Sequence, residues 1–180
     1  MNELYATCLI YDKTLEARIG GKPPKVIEND IPKDYNFYAV INHPEKQDKM
    51  LSIVIHNNLD VLLENNIYPD ISVKVIEHEY SEIGDREDKV ISDLGIFSIS
   101  NYATDNLSEF LFIKVGGEPR LIQPKSYFYE KLEKDNYSFF LQIEEEGYYD
   151  GMDYVFMYGA LYLYKHNVTG EIIAGFWQYS

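Results

Sequence analysis

Two histidines occupy matching places in the sequence and are the first candidates for chemistry. His56 and His166 each close an apolar, strand-like run and each precede an asparagine. A symmetric pair of imidazoles would suit a transition metal, because imidazole nitrogen is a common ligand for zinc, copper, iron and nickel. However, no carboxylate lies at a ligand spacing beside both, and a His-Asn pair at a strand end also satisfies backbone groups. The sequence therefore predicts no metal site.

The acidic run from residue 144 to residue 153 is the second candidate. Its carboxylates lie close to two glycines, and calcium prefers oxygen ligands of this kind. Carboxylate pairs also serve in glycoside hydrolysis, where one is the general acid and the other the nucleophile or base. The spacing of an EF-hand loop is absent, and spacing along the chain does not give a separation across a cleft. We therefore interpret the run as a solvated acidic loop, with an enzyme as the alternative.

Tyrosine is abundant, with 17 among 180 residues. Its ring adds apolar contact area and its hydroxyl adds one polar group, which suits both half-buried strands and recognition surfaces. Along residues 158–164, strand alternation places Tyr158, Tyr162 and Tyr164 on one face. That face either packs against a second layer, which the sequence favours, or forms a partly exposed contact patch.

Three glutamines in the second half of the chain complete the candidates. The matching positions of an earlier segment include Glu28 and Val40, so a polar pocket would lie in the second half. The residues predicted to bind a ligand or partner are Gln123, Gln142, Tyr158, Tyr162, Tyr164, Trp177 and Gln178. Signatures for nucleotide binding, zincins and nucleophile elbows are missing. The sequence therefore predicts no catalytic residue and no cofactor.

The charge of the chain limits its partners. The 16 Lys and Arg residues face 30 Asp and Glu residues, which gives a formal net charge of -14. Such a field repels nucleic acids and anionic membranes, whereas it accelerates association with a basic protein. The sequence therefore predicts no nucleic-acid or membrane partner and favours a basic protein.

Cys8 is the only cysteine, so the chain forms no intrachain disulfide. No window approaches the roughly 18 apolar residues of a membrane-spanning helix. The N-terminus also lacks a basic segment ahead of a long apolar stretch. We expect a soluble cytoplasmic protein.

Three blocks of sequence recur in the same order, which indicates an internal duplication. The paired blocks are 18–27 with 114–122, 35–42 with 137–144, and 51–57 with 161–167. The first pair shares a Gly-Gly sequence followed by proline. This sequence is typical of a turn, because glycine permits positive φ and proline fixes φ. The predicted structural turns contain Gly20, Gly21, Pro23, Gly116, Gly117 and Pro119.

The elements between these blocks set the fold class. Residues 59–64 have helical spacing of leucines, and a second helix is predicted from Pro124 to Lys134. Its predicted inward-facing residues are Tyr127, Phe128 and Leu132. We predict an α+β, strand-dominated fold with two diverged copies of a β-rich unit in a pseudo-twofold relation and short connecting helices. Residues 1–180 form a single domain, with copy one at about 1–57, an insert at about 58–107 and copy two at about 108–180.

These blocks resemble the YwqG-like family, a bacterial domain of unknown function. The second half matches best, through its Gly-Gly-Glu-Pro turn with Gln123, residues 140–144, residues 159–163 and the closing Phe176-Trp177. The first copy departs from the family pattern, because Val40 stands where a strand glutamine is expected. The resemblance implies a fold of two halves and a bacterial cytoplasmic origin. It implies no activity, since none is established for the family.

The acidic field, the tyrosines and the missing catalytic signatures predict a protein-interaction module. An immunity-type neutraliser of a basic toxin is its most specific form. The alternative is a small-ligand-binding protein or an enzyme with a cleft between the two copies or within the second.

Overall fold

The computed structural model describes residues 2–180, and most of its regular structure is β-strand. The strands are β1 (Leu4–Ala6), β2 (Cys8–Ile10), β3 (Arg18–Gly20), β4 (Tyr35–Asn42), β5 (Lys49–His56), β6 (Val73–Glu79), β7 (Ile96–Ile99), β8 (Ile113–Val115), β9 (Tyr137–Glu144), β10 (Gly159–His166) and β11 (Ile172–Tyr179). The helices of this range are α1 (Leu59–Glu64) and α2 (Glu130–Lys134), with 3-10 turns at Glu87–Lys89, Ser126–Phe128 and Glu145–Gly147. The predicted strand-dominated α+β class is confirmed. Neither helix of the described range has the length and the apolar run that crossing a membrane requires.

The strands form two antiparallel sheets. The five-stranded sheet has the order β1-β8-β9-β10-β11, and the six-stranded sheet has the order β2-β7-β3-β4-β5-β6. Thr7 alone separates β1 from β2, so the N-terminal segment starts in one sheet and continues in the other. Residues 58–107 contribute β6 and β7 to the six-stranded sheet, so this segment is part of the sheet.

One apolar cluster contains residues of both sheets and forms the main core. Ile41 and Ile53 enter it from the six-stranded sheet, and Leu141 and Leu161 enter it from the five-stranded sheet. Complete burial of one such side chain stabilises the folded state by roughly 1.5–3 kcal/mol relative to leaving it exposed. Two further clusters consist of Ile27, Ile31, Phe37, Val40, Met50 and Val54, and of Phe128, Leu132, Ala160, Tyr162, Tyr164 and Phe176.

Two long hairpins, β4–β5 and β9–β10, bring the later site into position. Each has a register shift in its first strand, which bypasses Tyr38 in β4 and Phe140 in β9. The connections differ in length, because residues 43–48 join the first pair and residues 145–158 join the second. The second hairpin therefore carries a long loop at the end of the five-stranded sheet.

Both Gly-Gly turns use left-handed backbone. The φ angles are 74° and 75° at Gly20 and Gly21, and 71° and 65° at Gly116 and Gly117. A side chain at Gly20 would collide with the main-chain oxygen of Gly95, so glycine is required there for both conformation and space.

The prediction for the second helix needs a correction. Residues 126–128 form a 3-10 turn, and α2 begins only at Glu130. A 3-10 turn has three residues per turn, so side chains in it do not follow α-helical spacing. Phe128 and Leu132 are buried as predicted, whereas Tyr127 is exposed.

Candidate functional site

A buried carboxylate organises the loop after β9. Glu145 is 1% exposed, and its carboxylate accepts main-chain N–H groups from Val155, Phe156 and Gly159, with N···O distances of 2.7 Å and 2.9 Å for the last two. Burial raises the pKa of Glu145, and these amide donors oppose the increase. Hydrogen bonds to an ionised acceptor are about twice as strong as neutral ones. The loop from 153 to 159 is therefore tied to the end of β9.

Two residues of this loop adopt left-handed backbone without being glycine. Met157 has φ 58° and Tyr158 has φ 60°. Such a conformation costs an L-residue roughly 1–2 kcal/mol, and it persists only where surrounding contacts hold it. Glu145 bonds the N–H groups of Phe156 and Gly159 on either side of these two residues, and both of their side chains are exposed.

The loop presents a tyrosine ridge, which we define as Tyr149, Tyr154, Met157 and Tyr158. All four side chains are exposed, between 41% and 54%. Tyr154 packs edge-to-face on Tyr158 with ring centroids 5.0 Å apart, and it stacks on Tyr148 at 6.1 Å. Since the Tyr148 hydroxyl is hydrogen-bonded to that of buried Tyr38 at 2.6 Å, the ridge is anchored in the core.

An open cleft of about 260 Å³ adjoins Tyr158 and contains the acidic residues that precede the ridge. Arg120 lies between two of them, with N···O distances of 2.9 Å to Glu146 and 3.8 Å to Glu144. Burial raises the pKa of Glu144 to about 7, although Arg120 opposes this increase. Glu144 and Glu145 are both buried, so the interpretation of residues 144–153 as a solvated loop is wrong for these two.

Two predicted glutamines and a tyrosine hold a segment of main chain against the five-stranded sheet. The side chain of Gln142 bonds the N–H and C=O of Arg120 at 2.7 Å and 3.3 Å. Gln178 does the same for Gln123 at 3.0 Å and 2.8 Å, and the Tyr162 hydroxyl donates to the Arg120 oxygen at 2.7 Å. The side-chain amides of Gln142 and Gln178 thus form the main-chain hydrogen bonds that a paired strand would otherwise form with residues 120–123.

The predicted site residues thus separate into groups. Gln123, Gln142, Tyr162 and Gln178 meet around residues 120–123. Only Tyr158 belongs to the ridge. Trp177 packs on Phe156 in the main core, and Tyr164 is 3% exposed.

The sequence did not predict the roles of Tyr149, Tyr154 and Met157, and it placed Glu145 in a solvated acidic loop. The abundance of tyrosine was the available signal for the ridge. No periodic signal marks Glu145, because its partners lie 10 to 14 residues downstream.

The paired histidines stabilise turns. His56 Nδ1 accepts the N–H of Asn58 at 3.1 Å, and His166 Nδ1 accepts that of Thr169 at 3.1 Å. Within residues 2–180, no group of three His, Cys, Asp or Glu side chains is arranged to hold a metal ion.

A second cleft, of about 360 Å³, lies between the two halves of the chain. Ile55 and His56 line it from the first half, Leu62 lines it from α1, and Asp153 and Tyr154 line it from the loop of the second half. It has apolar walls with a few polar groups, as small-molecule sites do.

Comparison with known proteins assigned no relative to the chain. No family model matches its sequence, and none of the curated proteins matches it.

Proposed function

We propose that this protein is an interaction module that binds a basic partner protein through the tyrosine ridge. The observation that carries the proposal is the exposure of three tyrosines and a methionine on a loop held by buried Glu145. Tyrosine and methionine are enriched at the centres of protein interfaces. Exposed side chains that are already fixed also lose less entropy on binding.

Charge favours a basic partner. Asp150 and Asp153 are exposed beside the ridge, and the whole chain carries a net charge of -14. A negative field attracts a basic protein over distance and raises the association rate, particularly at low salt. The specific form that we propose is an immunity-type neutraliser of a basic toxin, acting in the cytoplasm.

The test truncates two of the four ridge side chains and leaves Glu145, which holds the loop, unchanged. The double variant Tyr154→Ala/Tyr158→Ala is compared with wild type in affinity capture from the lysate of the native host, followed by mass spectrometry and titration of the captured protein. Interface tyrosines often contribute about 2 kcal/mol or more each, so the affinity of a basic partner should fall by at least roughly 100-fold.

Tyr80 is the matched control, because it is 57% exposed and lies in a different part of the chain, next to β6. Tyr80→Ala should retain the partner, and raised salt should slow its association. Retention of the same basic protein by the ridge variant, or recovery of no basic protein by wild type, would remove the proposal.

We further infer that the chain consists of two diverged copies of one unit, related by a pseudo-twofold axis. Arg18 donates to the carbonyl oxygen four residues downstream, across the first Gly-Gly turn, and Lys114 does the same across the second. In each long hairpin, the bypassed residue is the fourth of its strand. These matching contacts support the inference.

Aromatic pairs at the far ends of the hairpins agree with it. Tyr35 lies edge-on to His56 with centroids 5.2 Å apart, and Tyr137 lies edge-on to His166 at 4.9 Å. Superposition of residues 18–56 on residues 114–166 through the three shared strands tests this inference. Membership of the YwqG-like family remains a prediction that rests on the sequence blocks.

The cleft between the halves favours a second candidate function, the binding of a small ligand or an enzymatic activity. A ligand that binds only the folded state raises the melting temperature. A panel of metabolites and metal ions should therefore produce a stabilising shift that Asp153→Asn or His56→Ala reduces. The absence of any shift across the panel would argue against this candidate.

A further inference from the structure

A separate cleft lies between α2 and the five-stranded sheet. It has a volume of about 420 Å³, within the range of about 300–1,000 Å³ that is common for small-molecule sites. Four aromatic rings and two carboxylates line it: Tyr129, Tyr137, Phe139, Tyr164, Glu118 and Glu133. We call it the aromatic-acidic cleft, and none of these residues belongs to the tyrosine ridge.

The two carboxylates of the cleft are not neutralised by the protein. Within residues 2–180, neither Glu118 nor Glu133 has an ion-pair partner, and the ammonium groups of two lysines on the neighbouring elements are occupied. Lys114 pairs with Glu3 at 3.0 Å, and Lys131 pairs with Asp135 at 2.8 Å. The cleft therefore holds negative charge that an incoming cation can balance.

Tyr164 supplies an independent polar group. Its side chain is 3% exposed, it lines the cleft, and its hydroxyl has no hydrogen-bond partner in the part of the chain that the structure describes. Burial raises the pKa of Tyr164, and the charges of Glu133 and Glu118 raise it further. Both carboxylates thus act on this hydroxyl, which is free to bond a ligand.

The ring geometry suits a cation. Phe139 and Tyr164 both line the cleft and are edge-to-face with centroids 6.1 Å apart, so the planes of their rings differ by 77°. The faces of aromatic rings carry negative charge density and attract guanidinium and ammonium groups. An anion would be repelled by the carboxylates, and a neutral apolar ligand would desolvate them without compensation.

We propose that the aromatic-acidic cleft binds an organic cation of the guanidinium or alkylammonium type. Such a group is provided either by a free small molecule or by an arginine or lysine side chain of a peptide. The site does not depend on the tyrosine ridge or on the partner proposed for it.

Isothermal titration calorimetry at fixed ionic strength tests the site with n-butylguanidinium and its neutral isostere n-butylurea. The cation should bind at least roughly tenfold more tightly, because only it gains the ring and carboxylate interactions. A second arm uses the peptide Ac-Gly-Arg-Gly-amide and its citrulline counterpart. Tighter binding of the free cation than of the peptide indicates a small-molecule source, and tighter binding of the arginine peptide indicates a side chain.

The variant Glu118→Gln/Glu133→Gln keeps the shape of the cleft and removes its charge, so it should weaken cation binding by roughly tenfold. Tyr164→Phe should weaken it by a smaller factor. Glu64→Gln/Glu109→Gln removes two exposed charges elsewhere and should leave the affinity unchanged. Equal binding of n-butylurea, an unchanged affinity in the cleft variant, or no binding of either cationic probe would overturn the proposal. The tyrosine-ridge variant should bind the cation normally, so the two proposals fail separately.

Discussion

The two long hairpins each use a buried polar side chain to hold the connection between their strands, but the connections differ in length. In each, the first residue after the leading strand is a buried polar residue, His43 after β4 and Glu145 after β9. His43 Nδ1 accepts N–H groups two and three residues downstream, whereas Glu145 accepts N–H groups 10 to 14 residues downstream. One closes a tight turn, and the other holds a loop that presents side chains.

The difference follows from acceptor capacity. A neutral imidazole has one acceptor nitrogen, whereas a carboxylate has two oxygens with about four lone pairs. Glu145 can therefore gather three N–H groups, and the longer loop leaves room for the ridge. The other ring nitrogen of His43 has no hydrogen-bond partner in the described residues. A carboxylate is thus the better anchor for a functional loop.

The largest expected effect comes from removing the carboxylate. Glu145→Ala leaves three buried N–H groups without their acceptor, and each unpaired group costs about 1–3 kcal/mol. We expect the free energy of unfolding to fall by about 3–5 kcal/mol in urea denaturation. Amide hydrogen exchange of residues 153–159 should accelerate more than that of the sheets.

His43→Ala is the matched change in the other hairpin. It removes one acceptor atom that serves two N–H groups, so the expected loss is smaller, about 1–2 kcal/mol. An equal loss in the two variants would break the comparison between the hairpins.

The next largest effect is a pH dependence of the unfolding free energy that is due to Glu144, the residue before Glu145. Asn42 ends β4 and is uncharged, whereas Glu144 ends β9 and has a pKa of about 7 in the folded protein. In the unfolded chain its pKa is about 4.3. Because the folded protein holds this proton more tightly, the stability due to Glu144 is present below pH 4.3 and is lost as pH rises to about 7, by about 3–4 kcal/mol.

Glu144→Gln should abolish this loss, which is measured as the difference in unfolding free energy between variant and wild type from pH 4 to pH 8. The pKa of His43 is lowered by burial, so the protein also becomes less stable as pH falls through the ordinary pKa of histidine. This contribution is the same in variant and wild type and therefore cancels in the difference. Glu64→Gln, at an exposed position of α1, should leave the profile unchanged. A flat difference for Glu144→Gln would mean that folding does not raise the pKa of this carboxyl.

The strand-dominated fold class could be predicted from local sequence patterns, whereas the candidate site could not. Short apolar runs rich in β-branched and aromatic residues predict β4, β5, β9 and β10, because such side chains favour strands. The role of Glu145 depends on which amides reach it after a loop of irregular backbone, and no local pattern encodes that. The sequence predicts Gln142 as a binding residue of a polar pocket, yet its partner, the main chain of Arg120, is visible only in three dimensions.

The smallest effect tests whether the ridge stores backbone strain. Met157→Gly should relieve the cost of φ 58°, roughly 1–2 kcal/mol, and it adds roughly 0.5–1 kcal/mol of entropy to the unfolded chain. We therefore expect a net gain of about 0.5 kcal/mol in unfolding free energy. Val168→Gly is the control, because Val168 is an exposed turn residue without positive φ, and it should lose about 0.5 kcal/mol. A gain in unfolding free energy for Met157→Gly and a loss for Val168→Gly would show that the backbone at residue 157 is strained. A similar loss in both variants would mean that residue 157 is unstrained.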